Sequence, residues 1–380
     1  LSDRPAPLGA LLRATAPDRL PEVAADHLRR HLAAEQVEVL VADLTLRRLV
    51  PLLGPTGPET DPGALRCLHS QRSGTEVGVT GRTRLHLPLS CWGERLGVLR
   101  VVLPGRPGPD QAEQLRHHAD ELAVALRAAD RMTDRYRQAQ RLQRLTMAAE
   151  LQWDLLPGRS LADERFHLAG QLEPAYDVHG DHYDWALSGD RLTLTVLNGG
   201  GEGMDAAMLT TVAVNAMRNA RRCGADIVEQ AELASDALHT RYAGGRHASA
   251  LLLEIDLVGG WVDAVDAGSP HCLIGRGNEI TQVRLEQQLP LGMFGEARYE
   301  IERFRLEPGD RMLVVSDGVH AAAPGGSTPF GESALLTALR GTRLQPATEA
   351  VGTVMRGLRE FHAGAEPEDD AVTVCLDWRR

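Results

Sequence analysis

Among the 41 basic residues of this 380-residue chain there is no lysine. Every basic side chain is an arginine, which rules out a Walker A lysine, a Schiff-base lysine and a lysine general base in one step. No stretch has the uninterrupted apolar length that a membrane span requires, and the N-terminal region lacks a charged segment followed by an apolar one, so neither a span nor an export signal is expected. The five cysteines, at positions 67, 91, 223, 272 and 375, are odd in number and far apart. That spacing favours neither a disulfide framework nor a cysteine zinc site, and a reducing cytoplasm is the expected location. A net charge of -11 with a pI near 5.7 argues against a nucleic-acid surface, which needs concentrated basic charge. What remains for chemistry is carboxylate, histidine and bound metal. The length and the 43% hydrophobic content are enough for two cores.

The most distinctive stretch is Val196 to Leu209, V-L-N-G-G-G-E-G-M-D-A-A-M-L. An apolar, β-rich run from Leu192 to Leu197 breaks into Gly199, Gly200, Gly201 and Gly203, and helical spacing begins at once with Met204, Met208, Val212 and Ala216. Arg218, Arg221 and Arg222 lie near the expected C-terminus of that helix, where cations suit the dipole. Strand, glycine loop and helix admit three readings: a sharp connection, a dinucleotide fingerprint, or a loop lying against an acidic site. Gly201, Gly203 and Ala206 fit the permissive G-x-G-x-x-A pattern. A Rossmann unit, however, needs a parallel strand after the helix, and Gly224 to Tyr242 reads as a second helix.

Residues 1–107 read as a small α/β domain: a helix at Leu20 to Leu32, then strands at Val37 to Leu44, Arg47 to Leu53, Thr83 to Leu89 and Cys91 to Leu103, the last with a turn at Trp92 to Arg95. With Leu87-Pro88-Leu89, Gly93 and Leu96-Gly97-Val98-Leu99, this order resembles a GAF domain. The resemblance implies a small-ligand sensor or a dimerising module. Residues 108–157 read as a helical, coiled-coil-like linker. Asp110 and Glu113 make a start signal after the Pro104 to Pro109 break, and the helix is expected to run to about Leu156, before Pro157-Gly158. Leu115, Ala119, Leu122, Leu126, Ala129, Thr133 and Tyr136 form a seam, with a second stripe at Leu142, Leu145 and Ala149. The seam fits either packing on the chain's own domains or a homodimer.

Residues 158–380 read as α+β with largely antiparallel sheets. His247 to Leu257 and Trp261 to Asp266 form a hairpin across Gly259-Gly260, and helices are expected near Gly331 to Leu339 and Pro346 to His362. Acidic residues mark strand ends in this half: Asp177, Asp181 and Asp184 before Trp185 to Leu187, Asp317 after Arg311 to Val315, and Asp369-Asp370 before Ala371 to Leu376. Carboxylates so placed can converge on one rim and hold a hard cation through oxygen.

In this half the chain resembles the metal-dependent protein phosphatases (PPM) in their SpoIIE-like branch. The resemblance runs from Leu151-Gln152 and Leu155-Leu156-Pro157 through Pro174, Gly180-Asp181-His182-Tyr183-Asp184 and the glycine loop. It continues through Ala267-Gly268-Ser269-Pro270, Pro290-Leu291-Gly292, Pro308-Gly309-Asp310, Ser316-Asp317-Gly318 and Asp369-Asp370. It implies two packed antiparallel sheets flanked by helices, with two Mg²⁺ or Mn²⁺ ions that activate water against a phosphoserine or phosphothreonine. Carried over by position, Asp181, Asp317 and Asp369 are the catalytic metal carboxylates, Asp370 is the less favoured of its pair, Asp184 supports the site, and Gly199 offers a backbone oxygen. The family's bridging aspartate is Asn198 here, Glu202 stands where it has a histidine, and His179 replaces the first glycine of the Asp181 motif. The expected function is therefore a serine/threonine phosphatase acting on a phosphoprotein of an anti-sigma partner switch, regulated by the GAF-like domain. The alternative is a pseudophosphatase that acts as a binding scaffold.

Overall fold

The structure is a computed structural model that describes residues 6–54, 61–78, 81–141, 144–173, 178–363 and 367–379. The expected roles of Asp177, Leu142 and Pro174 lie outside the described residues. The chain divides into two compact units, residues 1–144 and 145–380.

In the first unit the sheet order is Leu49–Pro51, Gln36–Ala42, Glu94–Leu103, Thr83–Cys91, Gly74–Val77, antiparallel throughout. Val39 and Val41 face a core built with Leu8, Leu28, Leu87 and Leu122, while Leu40 and Ala42 face the opposite side with Leu68 and Val98. Both faces are covered, so these strands read as continuous apolar runs rather than as alternating ones. At the centre Gly97 pairs with Val41, and a Cβ on it would lie 1.9 Å from the Leu40 carbonyl oxygen.

The single helix expected to run to Leu156 is three helices, Pro109–Ala129, Asp134–Gln140 and Met147–Leu155. Thr133 and Thr146 each cap a new start, their side-chain oxygens accepting from the backbone N–H of Arg135 and Ala149 at 3.2 Å. The seam Leu115, Ala119, Leu122, Leu126 and Ala129 is buried in the first unit's own core together with Leu8 and Leu28. Arg135 reinforces this, donating to the Leu52 carbonyl at 2.7 Å.

The second unit is a sandwich of two antiparallel sheets. One has the order Glu302–Arg305, Trp261–Ala267, Ser249–Asp256, Arg191–Asn198, His182–Ser188; the other Glu279–Gln282, His271–Arg276, Arg311–Val315, Ala371–Trp378, Phe166–Glu173, Ser160–Ala162. Leu192, Leu194, Val196, Leu251 and Leu253 meet Phe166, Leu168, Val314, Val372 and Val374 between the sheets. The alternate residues Leu197, Ala250 and Leu252 turn outward under helices Gly203–Arg222 and Ile227–Tyr242, and Leu313, Val315 and Cys375 lie under Ala347–Phe361. The result is a four-layer α/β/β/α arrangement in which the central strands are buried on both faces and the edge strands Glu279–Gln282 and Glu302–Arg305 are largely exposed.

Antiparallel pairing brings strand starts beside strand ends. His182 pairs with Leu197, Ser249 with both Asn198 and the neighbourhood of Ala267, and Val315 with Thr373. Asp181, Asn198, Ser269, Asp317 and Asp369 therefore all leave the sandwich at the same end.

Gly97→Ala is expected to destabilise the first unit by roughly 1–3 kcal/mol, the range for overpacking a filled interior. Gly105→Ala, with nothing within 4 Å of its added Cβ, is expected to be neutral. Thermal melts of the two variants beside the wild type check this; equal melting temperatures would contradict the close packing at Gly97.

Candidate metal centre

The site is assembled by two loops that only glycine allows to touch. Gly180, at φ +96°, precedes Asp181; a Cβ on Gly199 would come within 2.7 Å of the Gly180 backbone. The contact is held by Thr210, whose hydroxyl donates to the Gly180 carbonyl at 2.5 Å, and by the Gly203 N–H, which donates to the Val178 carbonyl at 2.6 Å. The glycine loop thus carries the start of helix Gly203–Arg222 and presses the Asp181 turn against Asn198.

Asp181 is 1% exposed, and neither of its carboxylate oxygens has a hydrogen-bond partner among the described residues. Burial, then the charges of Asp369 and Asp317, push its carboxyl well above the ordinary range, against the opposing pull of the nearby Ser316 hydroxyl. Asp369 is pushed up to about 6 by burial and by Asp317, partly offset by His179. Asp317 accepts from the Gly318 N–H at 2.9 Å and from the Ser269 hydroxyl at 3.3 Å. Asp317 and Asp369 are thus close enough to raise the proton affinity of Asp181, and Asp317 that of Asp369. Their oxygens are more widely spread than a single tight cluster, since they do not form a group with one atom each within 4.8 Å of the others.

Asn198 is 5% exposed at the end of its strand. Its Nδ2 donates to Ser269 Oγ at 2.7 Å, and the Ser269 hydroxyl donates onward to Asp317. One serine proton can serve only one carboxylate, so the amide at 198 matches a donor to an acceptor where a second acid would leave two acceptors facing one hydroxyl. Asn198 Oδ1 stays buried without a partner, leaving an oxygen free to ligate. Glu202 is exposed and makes no cap bond, so it returns no charge to the centre.

The structure separates Asp370 from the ligand set. It is fully buried, and its Oδ2 accepts from Gln152 Nε2 at 2.8 Å and from the His179 and Gly180 N–H groups at 2.9 Å each. It holds the Asp181 turn in place. Asp184 is likewise committed elsewhere, to Arg218 at 2.7 Å and Arg221 at 3.1 Å. Gln152, whose Nε2 also donates to the Asp181 carbonyl at 2.7 Å, was not legible as a site residue, and neither were Ser269 or His320. A separate group, Asp61, Glu76 and His86, has ligand atoms within 4.8 Å of one another in the first unit. Arg100 lies 3.0 Å from Asp61 and already supplies the positive charge there.

Three neighbouring carboxylates without an arginine partner, that of Asp181 with both oxygens unbonded, and an amide oxygen with no donor are what a hard divalent cation requires. Asp181, Asp317, Asp369 and Asn198 Oδ1 fit such an ion, with the Gly199 carbonyl alongside. Because folded Asp181 and Asp369 bind protons more tightly than in the unfolded chain, their stabilising contribution is present at low pH and is lost as pH rises through their folded values. Metal-free protein is expected to lose thermal stability as pH rises from about 4 through about 6, the value for Asp369. Added Mn²⁺ is expected to raise the melting temperature more at pH 7.5 than at pH 5.5, and Asp317→Ala to weaken that gain. Differential scanning fluorimetry reads both, and a metal response independent of pH would count against the assignment.

The family model described as Stage II sporulation protein E (SpoIIE) matches residues 188–379. Among solved structures, the RsbU and RsbW domains of Rv1364c from Mycobacterium tuberculosis align at 22% identity and TM-score 0.49, over 57% of this chain and 62% of that one. The chain thus spans less than two thirds of that relative. The PP2C phosphatase domain with a regulatory fragment of SpoIIE from Bacillus subtilis aligns at 19% identity and TM-score 0.49, over 57% and 65%. The catalytic domain of PstP in complex with two manganese ions aligns at 14% and 0.43, over 57% and 99%. With its two-sheet α+β architecture, acidic end and family match, the chain belongs to the SpoIIE family of PPM-type phosphatase domains.

Proposed function

We propose that residues 145–380 form a metal-dependent phosphatase acting on phosphoserine or phosphothreonine of a protein substrate, in a bacterial pathway of the anti-sigma partner-switch type. The observation that carries this reading is the carboxylate trio at the open end of the sandwich, with Asp181 buried and unbonded, and no arginine paired to any of the three among the described residues. Mg²⁺ or Mn²⁺ bound there would neutralise phosphoryl oxygens and lower the pKa of a bound water. Asp181, Asp317 and Asp369 supply the oxygens and Asn198 Oδ1 a neutral one. Ser269 orients Asp317 and Asn198 through one hydroxyl, and Asp370 fixes the turn that aims Asp181. Gln152 links helix Met147–Leu155 to both Asp181 and Asp370, so a shift of that helix would loosen the turn. That is a route by which residues 1–144 regulate activity. The five-stranded antiparallel sheet of that unit supports the GAF-like sensor reading.

The pseudophosphatase reading keeps one observation in its favour. Asn198 spends its amide on Ser269 and Glu202 points to solvent, so the centre has one negative charge fewer than a bridged two-ion site needs.

Mn²⁺-dependent hydrolysis of a phosphopeptide and of para-nitrophenyl phosphate separates the two. A phosphatase predicts turnover in the wild type and a loss of at least about 100-fold in Asp317→Ala, the scale on which electrostatic groups of an active site act. A silent wild type beside an active Asn198→Asp would establish the scaffold reading instead.

A further inference from the structure

A cavity of about 510 Å³ lies beside the acidic centre, lined by Asp266, Ser269, His271, Gln282, Arg284 and His320 among others. Ser269 is its shared wall: the same residue hydrogen-bonds Asn198 and Asp317. The volume is in the range of pockets that enclose a small ligand or a long side chain. Because Ser269 borders both the carboxylates and the cavity, a residue adjoining a phosphoryl group held at the carboxylates lies within reach of the cavity mouth.

The lining specifies the charge of the occupant. Asp266 Oδ1 accepts from the Gly268 N–H at 2.9 Å, and the carboxylate has no cation partner among the described residues. On the same strand, by contrast, Asp263 is paired with Arg303 at 2.9 Å. His271 and His320 stack with ring centroids 3.6 Å apart and planes at 9°. Burial, with His320 adding to it, holds His271 down at about 4, and burial lowers His320 as well, so both rings are neutral at physiological pH and do not oppose a cation. They offer flat, uncharged surface of the kind a guanidinium packs against. Arg284 is exposed at the rim and is the chain's own competitor for Asp266.

We propose that this cavity is the subsite for the residue adjoining the substrate's phosphoserine or phosphothreonine, and that it selects a basic side chain, arginine or lysine, through Asp266. This assignment rests on the phosphatase-fold reading of the neighbouring centre but not on turnover. It is tested by binding, with fluorescent peptides that carry a non-hydrolysable phosphonate analogue of phosphoserine flanked by arginine, alanine or glutamate. The full chain is used with Mn²⁺ at pH 8, where Asp266, pushed up to about 6 by burial, is ionised. The wild type is expected to bind the arginine peptide about tenfold more tightly than the glutamate peptide. Asp266→Asn, which keeps an oxygen for the Gly268 N–H, is expected to bring the two within about twofold, and Asp263→Asn to leave the preference intact. Equal wild-type affinities, or a preference that survives Asp266→Asn, would overturn the subsite. Turnover of para-nitrophenyl phosphate with no peptide preference would remove the subsite and spare the phosphatase. Arginine preference without turnover would do the reverse.

Discussion

Asp317 and Asp369 crowd negative charge onto Asp181, and Asp317 onto Asp369, across a space that no arginine enters among the described residues. The rest of the second unit shows how unusual that is. Asp184 is held by Arg218 and Arg221, Asp310 by Arg276, Asp377 by Arg311 and Glu173 by Arg359. A chain with many arginines pairs most of its partly buried acids and leaves these three facing one another. Such an arrangement persists when a divalent cation supplies the missing charge, and the surrounding packing serves to keep the three in place.

That packing is mostly backbone. The Gly180–Gly199 contact lets two loops approach to a distance no Cβ permits, and Gly318 does the same on the opposite sheet, where a Cβ would lie 1.8 Å from the Asp370 carbonyl oxygen. Each contact closes loops of one sheet, and the two sheets are tied at the end where the carboxylates emerge by the His179 and Gly180 N–H groups donating to Asp370. Ser269 then connects three things at once: the neutral ligand position at Asn198, the carboxylate of Asp317 and the wall of the adjoining cavity. A substitution at any of the three would be felt by the other two. The change from a bridging acid to Asn198 is accommodated because the amide supplies a donor that the serine can accept.

Much of this was legible in the chain. The strands and helices around the glycine loop, the hairpin across Gly259-Gly260 and the acids at strand ends follow from periodicity and turn residues, which are local properties. The carboxylates were found because each is flanked by glycine or a turn at a strand boundary. Gln152, though part of the Leu151-Gln152 motif, carried no site role in the sequence, since its bond to Asp370 joins residues 218 apart and no local pattern shows that contact. The helical stretch after Pro109 misled for a related reason. A seam of Leu115, Ala119, Leu122 and Leu126 describes an apolar stripe without saying what covers it, and here the cover is the first unit's own core.

The sequence by itself determined the classes of chemistry available, the α+β alternation and the identity of the acids, because these depend on residue type and short-range spacing. Only the tertiary structure decided which acids act together. Asp369 and Asp370 are adjacent, yet one joins the open trio while the other is consumed by Gln152 and two backbone N–H groups. Asp181 and Asp184 are three apart, yet one is left unpaired and the other locked to two arginines. The direction in which each side chain leaves the backbone, and what waits there, is fixed by strand pairing across the sheets, which no local pattern encodes.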